Sequence, residues 1–184
     1  GELGHRYVLG VYELLERLTA AFPHILFEGC AGGGGRFDAG MLYYMPQIWC
    51  SDDSDAIERL AIQYGTSFGY PISAVGGHVS PSPNHQTGRS TPLNTRGIVA
   101  MSGTFGYELN PGKLTETERQ EIRAQILRFR EDEELIHGGR YYRLTDASKP
   151  LPYVAWQLAD EDGAKSLLNV VVRHPRANAP LIHL

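Results

Sequence analysis

Cysteine is scarce in this chain, and an excess of positive charge is missing. Only Cys30 and Cys50 occur among the 184 residues. Each lies at or near the end of an apolar run, where free thiols are common in cytosolic proteins, so we expect free thiols and a cytoplasmic location. The 17 Lys and Arg residues are outnumbered by 21 Asp and Glu residues, and the formal net charge is −4. Because phosphate contacts need clustered Lys or Arg, nucleic acid is not expected as a partner.

Long hydrophobic stretches are also missing from the sequence. No run approaches the roughly 20 apolar residues that cross a bilayer, and the first residues lack the basic-then-apolar pattern of a leader. We therefore expect no membrane partner and no targeting signal. The composition of 42% hydrophobic and 21% charged residues is typical of a soluble globular protein that buries its own core.

Helical and strand-like patterns alternate through most of the chain. Residues 7–22 carry apolar side chains at helical spacing up to Pro23, and apolar runs at 24–27 and 47–50 predict two strands. Ser54 is the expected N-cap of a second helix, which Gly65 ends. The remaining predictions are a strand at 72–78, a loop at 80–90, a short helix at 93–101, a strand at 104–109, and a long helix that begins with a capping box of Thr115 and Glu118.

The pattern changes after Gly138 and Gly139. Strand-like segments at 140–144, 153–158 and 166–173 are separated by turn residues, which predicts a small antiparallel unit. The chain ends at Leu184 among apolar residues with no closing turn. The last strands are therefore expected to lack partners.

Alternating strands and helices predict an α/β fold with a parallel sheet, either doubly wound and open or closed as a (β/α)8 barrel. Polar and glycine-rich residues follow successive strands, at 30–38, 51–55, 78–89 and 108–110. A site built from many such loops favours the barrel, because an open sheet usually binds its ligand at one crossover. About four repeats are half of an eight-fold barrel, so the sequence predicts half of a TIM barrel followed by the antiparallel unit.

Residues 30–55 combine a glycine loop, aromatic side chains and carboxylates. Glycines let backbone N–H groups approach a polar ligand, aromatic faces stack on a pyranose, and an aspartate at a strand end transfers a proton to a glycosidic oxygen. This mixture predicts a sugar site. Tyr43, Tyr44 and Trp49 fit either the core or a sugar-stacking surface.

Three other kinds of site fit the sequence less well. A phosphate loop would continue with Gly-Lys-Ser/Thr, whereas Arg36 and Phe37 follow the glycines here, and the run is also compatible with a flexible linker. A cation site lacks the spacing and distal Glu of an EF-hand, and a zinc site lacks a third ligand at a telling spacing. The residues concerned are Asp52, Asp53 and Asp55 for the cation, and His78 and His85 for zinc. No metal is expected.

Two long runs carry a family resemblance. FEGCAGGGGRFDAGMLYYMPQIWCSDDSDAIERLAIQYGTSFGYP and HVSPSPNHQTGRSTPLNTRGIVAMSGTFGYELN, with its PNHQTGR, TRG and FGYEL segments, resemble the bacterial and fungal α-galactosidases of glycoside hydrolase family 36. The similarity extends from Gly4 to about Leu144. Because the runs are long and uninterrupted, they are far more specific than a lone glycine-rich motif.

The resemblance implies a retaining hydrolase of melibiose- and raffinose-type galactosides that needs no cofactor. It makes Asp52 the acid/base. It also implies that the substrate is contacted by Cys30, Ala31, Gly32, Gly33 and Asp52 itself. Ala31 stands where the family commonly has Ser, so no side-chain hydroxyl is available there. The nucleophile motif is expected upstream of Gly1, and the chain alone is expected to be inert.

The resemblance also implies domain bounds and assembly. Residues 1–137 would be the second half of the catalytic TIM barrel, and residues 138–184 the truncated start of a C-terminal antiparallel β-sandwich. The family commonly forms tetramers, which implies a homo-oligomer. The alternative from a different class is a non-catalytic carbohydrate-binding or assembly fragment. A Trp-Asp motif encoded a short distance upstream would favour the enzyme, and a genuine start codon at Gly1 would favour the fragment.

Overall fold

The computed structural model describes residues 1–175, 177–178 and 181. The chain is a mixed α/β structure with two compact units, Gly1–Asp52 and Asp53–Leu184. The apolar chain end at 182–184, where the sequence predicts strands without partners, lies outside the described residues. Within the part of the chain that the structure describes, no helix is long and apolar enough to cross a membrane.

The first unit contains two helices and two short strands. Their order is α1 (Glu2–Ala21), β1 (Glu28–Gly29), α2 (Ala39–Tyr44) and β2 (Gln47–Ile48). The two strands are parallel, with Glu28 opposite Gln47 and Gly29 opposite Ile48. The backbone N–H of Trp49 donates to the carbonyl of Gly29 at 2.9 Å, which extends the ladder beyond β2.

The strand predicted at residues 24–27 is wrong, because pairing begins only at Glu28. The N–H of Ile25 donates to the carbonyl of Phe22 at 3.0 Å and closes a turn after α1. Leu26 is 72% exposed. A strand needs hydrogen-bonded neighbours for its backbone groups, and the partner β2 supplies only residues 47 and 48. An apolar run alone therefore did not locate the strand.

Helix α1 is longer than expected and largely exposed. It begins at Glu2 rather than at residue 7, and Leu15 is its one buried residue. Its large apolar residues with exposed side chains are Leu3, Tyr7, Val8, Leu9 and Leu14. An apolar surface of this extent is typical of an interaction face rather than of a solvent-facing helix.

The second unit continues the alternation of helices and strands. Its elements are α3 (Ala56–Thr66), β3 (Gly76–Val79), α4 (Leu93–Ala100), β4 (Thr104–Tyr107) and α5 (Glu116–Gly138), with 3-10 turns at Ile72–Ala74 and Pro111–Lys113. Strands β3 and β4 are parallel, with Gly76 opposite Thr104 and Val79 opposite Tyr107. The capping box of Thr115 and Glu118 is confirmed at the start of α5. The predicted strand at 72–78 is correct only in its second half, because a 3-10 turn precedes β3.

The N-cap of α3 is Asp55 and not the predicted Ser54. The Asp55 carboxylate accepts hydrogen bonds from the N–H groups of Ile57 and Glu58. Ser54 has other partners, because its N–H donates to Oε1 of Gln86 at 3.0 Å. Both residue types are good caps, and tertiary hydrogen bonds decide between them here.

The antiparallel unit is confirmed. Strands β5 (Arg140–Arg143), β6 (Tyr153–Ala159) and β7 (Ser166–Val172) form one sheet in that order. In the β5–β6 ladder Arg140 lies opposite Ala159, and in the β6–β7 ladder Tyr153 lies opposite Val172. The main apolar cluster of this unit joins α3 and α4 to the sheet through Ala56, Leu60, Val99, Ala147, Val154, Trp156 and Val171. A second cluster contains Val79, Leu93 and Ala100.

Candidate functional site

The glycine run after β1 forms a tight turn that only glycine adopts without strain. Gly32, Gly33 and Gly34 have φ values of 62°, 70° and 87°, a region that costs other residues roughly 1–2 kcal/mol each. The N–H of Gly35 donates to the carbonyl of Ala31 at 3.0 Å and closes the turn. The sequence therefore fixes a left-handed loop between β1 and α2.

This loop packs directly on the segment that follows β2. A Cβ placed on Gly34 would lie 2.5 Å from the carbonyl oxygen of Cys50, and one on Gly33 would lie 2.9 Å from the backbone nitrogen of Asp52. A Cβ on Gly33 would also lie 3.0 Å from Oδ2 of Asp52. These approaches are too close for a side chain, so glycine is required for the loop to reach this position.

Asp52 has an exposed side chain that the preceding tryptophan holds. The indole Nε1–H of Trp49 donates to Oδ1 of Asp52 at 3.1 Å. Trp49 is itself attached to β1 through its backbone N–H. Asp52 therefore has one carboxylate oxygen bonded to the indole and the other beside Gly33.

The far end of the glycine loop is attached to α1. Asp38 is the N-cap of α2 and accepts from the N–H of Met41 at 2.9 Å. Its Oδ1 also accepts from the Tyr12 hydroxyl at 2.7 Å. The hydrogen bond from Tyr12 is the main cause that lowers the pKa of Asp38. Desolvation raises this pKa, and the backbone N–H groups of Met41 and Gly40 lower it further. Asp38 is thus held as a carboxylate.

The structure brings some of the predicted site residues together. Gly33 and Asp52 are in contact, and Ala31 contributes its carbonyl to the loop turn. Cys30 is an exposed free thiol that directly follows β1, and Cys50 is a half-buried free thiol. A Cβ placed on Gly32 would have no neighbouring atom of the described residues within 4 Å. Cys30 and Gly32 therefore lie on the accessible side of the loop, and Gly33 lies on the side facing Asp52.

Residues 84–89, within the predicted 80–90 loop, form a polar network with Ser54 and Asp55. The Asn84 amide donates to Oγ of Ser54 at 3.1 Å, and Thr87 donates to Asp55. Arg89 Nη1 lies 2.7 Å from Oδ1 of Asp55. Burial raises the pKa of Asp55, but the hydrogen bonds from Thr87, the Ile57 N–H and Arg89 outweigh it, so the net pKa is lowered. The sequence placed this loop after a strand but assigned no role to it.

Three of the side chains considered as metal ligands, Asp52, Asp55 and His78, have partners within the protein. Among residues 1–175, 177–178 and 181, no group of three or more His, Cys, Asp and Glu side chains is arranged to hold a metal ion. His78 Nδ1 lies 3.5 Å from Oε2 of Glu108 at the ends of the neighbouring strands β3 and β4. Its described ion-pair partner is therefore a carboxylate.

A cavity lies within the second unit. It has a volume of about 370 Å³, and Ile98, Phe129, Ile136 and Leu167 contribute to its lining. Neither Asp52 nor residues 30–33 line it. The candidate site is formed by the loop, Trp49 and Asp52, and the side chains of Cys30 and Asp52 are exposed there.

Comparisons with known sequences agree on one family. The family model described as melibiase matches residues 1–139. The bifunctional α-galactosidase/sucrose kinase AgaSK of Mediterraneibacter gnavus is 54% identical over 184 residues, which is 100% of this chain and 20% of that protein. The α-galactosidase AgaA of Geobacillus stearothermophilus is 52% identical over 183 residues, or 100% of this chain and 25% of that protein. The chain thus spans between a fifth and a quarter of these relatives.

Solved structures give the same result. The galactosidase domain of AgaSK superimposes with a TM-score of 0.96 at 54% identity, covering 100% of this chain and 26% of that one. A variant of the family 36 enzyme AgaA in complex with raffinose gives a TM-score of 0.93 at 52% identity, covering 98% of this chain and 25% of that one. The family match covers more than half of the chain, and both relatives match along its whole length. The chain therefore belongs to the melibiase family.

Proposed function

We propose that this chain is part of a retaining α-galactosidase that removes terminal α-D-galactosyl groups from melibiose- and raffinose-type galactosides. Asp52 is the acid/base, and Cys30, Ala31, Gly32 and Gly33 line the galactose position. The observation that carries the proposal is the contact between Gly33 and the Asp52 carboxyl in a chain of the melibiase family. One relative's structure holds raffinose, and another variant of the same enzyme holds stachyose.

The chemistry is a double displacement. In the first step a carboxylate attacks the anomeric carbon while Asp52 gives its proton to the departing glycosidic oxygen. In the second step Asp52 takes a proton from the water that attacks the glycosyl-enzyme. The two carboxyl groups of a retaining enzyme are about 5–5.5 Å apart. In this proposal the nucleophile lies on polypeptide outside the chain, so the chain alone does not complete a turnover, and no cofactor takes part.

The proposal includes a domain assignment. Residues 1–137 are the second half of a catalytic TIM barrel, and residues 138–184 begin a C-terminal β-sandwich. Two features support it: the parallel pairs β1–β2 and β3–β4, and the change to the antiparallel sheet at β5. The exposed apolar residues of α1 fit a half-barrel whose helix packs against the remainder. A cytoplasmic location and a homo-oligomer, tetrameric as in the family, complete the proposal.

A chimaera tests the proposed acid/base. AgaA of Geobacillus stearothermophilus, 52% identical over 183 residues, would receive this chain in place of its matching segment. We expect the chimaera to hydrolyse raffinose and p-nitrophenyl α-galactoside. Asp52→Ala should lower kcat/KM for raffinose by about 10²–10⁴-fold and affect the aryl galactoside far less, because nitrophenolate leaves without protonation.

Azide gives a second measure of the same role. Azide needs no general base, so it should accelerate turnover of the aryl substrate by Asp52→Ala and yield a glycosyl azide. Equal losses on both substrates with no response to azide would remove the proton-transfer role. A folded chimaera that binds galactose without hydrolysing either substrate would favour the carbohydrate-binding alternative.

A further inference from the structure

The two oxygens of the Asp52 carboxyl have different surroundings. Oδ1 accepts the indole N–H of Trp49 at 3.1 Å. Oδ2 faces the glycine loop, where a Cβ on Gly33 would lie 3.0 Å away. The carboxyl is therefore oriented with one oxygen toward the tryptophan and the other toward the predicted sugar-contacting residues.

Trp49 is placed to impose this orientation. Its backbone N–H is bonded to Gly29 of β1 at 2.9 Å, and it directly follows Ile48, which is 1% exposed. The spacing of three residues between Trp49 and Asp52 forms a short loop in which both side chains meet. The strand pair therefore anchors the backbone of Trp49, and from this position its indole N–H reaches the aspartate.

The chemistry of the indole decides which oxygen carries the proton. An indole N–H only donates, so it bonds best to the oxygen with the greater electron density. In a neutral carboxylic acid that oxygen is the carbonyl oxygen and not the hydroxyl. We propose that Trp49 is a positioning residue that keeps Oδ1 of Asp52 as the acceptor and so places the transferable proton on Oδ2, beside Gly33. The inference rests on the proposed role of Asp52 as the acid/base.

This assignment specifies the proton path. In the first step the Oδ2–H bond breaks as the proton moves to the glycosidic oxygen, which keeps the electron pair of its bond to the anomeric carbon. Asp52 is then a carboxylate whose Oδ1 still accepts from Trp49. In the second step Oδ2 takes a proton from the water that attacks the anomeric carbon, and the bond between that carbon and the nucleophile breaks to release the nucleophile as a carboxylate. A hydrogen bond to a charged oxygen is stronger than one to a neutral oxygen, so Trp49 stabilises the charge that develops during proton donation.

The test uses Trp49→Phe in the AgaA chimaera, which keeps an aromatic ring and removes the N–H donor. We expect kcat/KM for raffinose to fall by about 10- to 100-fold and kcat/KM for p-nitrophenyl α-galactoside to change by less than about threefold. The matched control is Trp156→Phe. Trp156 is 4% exposed, and its Nε1 has no hydrogen-bond partner among the described residues, so this variant removes an indole N–H without affecting Asp52.

A double variant separates this inference from the proposed function. With Trp49 acting through Asp52, Trp49→Phe combined with Asp52→Ala should cost no more on raffinose than Asp52→Ala alone. Equal losses on both substrates for Trp49→Phe, or additive losses in the double variant, would overturn the positioning role. The Asp52→Ala and azide results are independent of that outcome, so the acid/base assignment can stand while the inference about Trp49 fails.

Discussion

The hydroxyl of Tyr12 on α1 donates to Oδ1 of Asp38 at 2.7 Å, a contact that joins residues 26 positions apart. Asp38 begins α2 and ends the segment that contains the glycine loop. A Cβ on Gly40 would lie 2.4 Å from the Tyr12 oxygen, so the tyrosine fits only because glycine stands there. The loop is therefore held at both ends, by β1 and by α1.

Removing this contact should change how stability depends on pH. The hydrogen bond from Tyr12 lowers the pKa of Asp38. When the pKa of a carboxyl is lower in the folded protein than in the unfolded chain, where it is about 3.9, the carboxylate stabilises the fold above that pH. This stabilisation is lost as the pH falls through the pKa of the folded protein. We expect Tyr12→Phe to lower the unfolding temperature of the chimaera at pH 6, with a smaller difference from the parent below about pH 3.

Tyr43→Phe is the matched control for that measurement, since Tyr43 lies on α2 and is 78% exposed. It should follow the parent at every pH. A difference between Tyr12→Phe and the parent that grows as the pH falls would contradict the assignment.

Gly33→Ala should damage activity more than stability. At φ 70° the alanine costs roughly 1–2 kcal/mol in backbone strain, and its Cβ would displace the Asp52 backbone nitrogen and carboxyl. We expect kcat/KM for raffinose in the chimaera to fall by at least about tenfold, because the proposed acid/base would be misplaced. Gly163→Ala, with φ 73° and open space to 4 Å around its Cβ, has the same strain and should keep its activity. Similar activities for the two variants would show that the contact with Asp52 is unimportant.

Asp55→Ala should loosen the start of α3. The N-cap is worth about 1 kcal/mol, and the ion pair with the partly exposed Arg89 adds up to about 1 kcal/mol. Losing about 2 kcal/mol in total would raise the equilibrium constant for local opening of the helix start about 30-fold. Hydrogen exchange at the amides of Ile57 and Glu58, which donate to Asp55, measures it directly.

Glu58→Ala is the comparison, because Glu58 pairs with the same Arg89 at 2.9 Å and does not cap the helix. It should change exchange by less than about fivefold. If both variants were to accelerate exchange equally, the capping role of Asp55 would be wrong.

Elements whose signals are local and complete in the sequence could be predicted. The capping box at Thr115 and Glu118 located α5 because both halves of the signal lie within one turn. The antiparallel strands were found because turn residues separate them. Helix α2 was missed, since its six residues are too few to show a helical period. Its signal was the Asp38 side chain bonded to the N–H of Met41.

The candidate site could also be predicted only in part. The meeting of the glycine loop with Asp52 was expected from the family resemblance, and Gly33 does contact Asp52. Trp49 was undecided between core and sugar-stacking roles, because an aromatic residue in a sequence does not reveal where its N–H points. The role of the polar loop was missed, since its hydrogen bonds to Ser54 and Asp55 join residues about 30 positions apart.

The exposed thiol of Cys30, beside the glycine turn, has a practical consequence. Cys30 is exposed while Cys50 is half-buried, and the chain has no other cysteine. A maleimide dye would therefore attach preferentially at Cys30. Because Cys30 is proposed to line the galactose position, a bound galactoside should slow this labelling in the chimaera, and the labelling rate would report occupancy without a turnover assay.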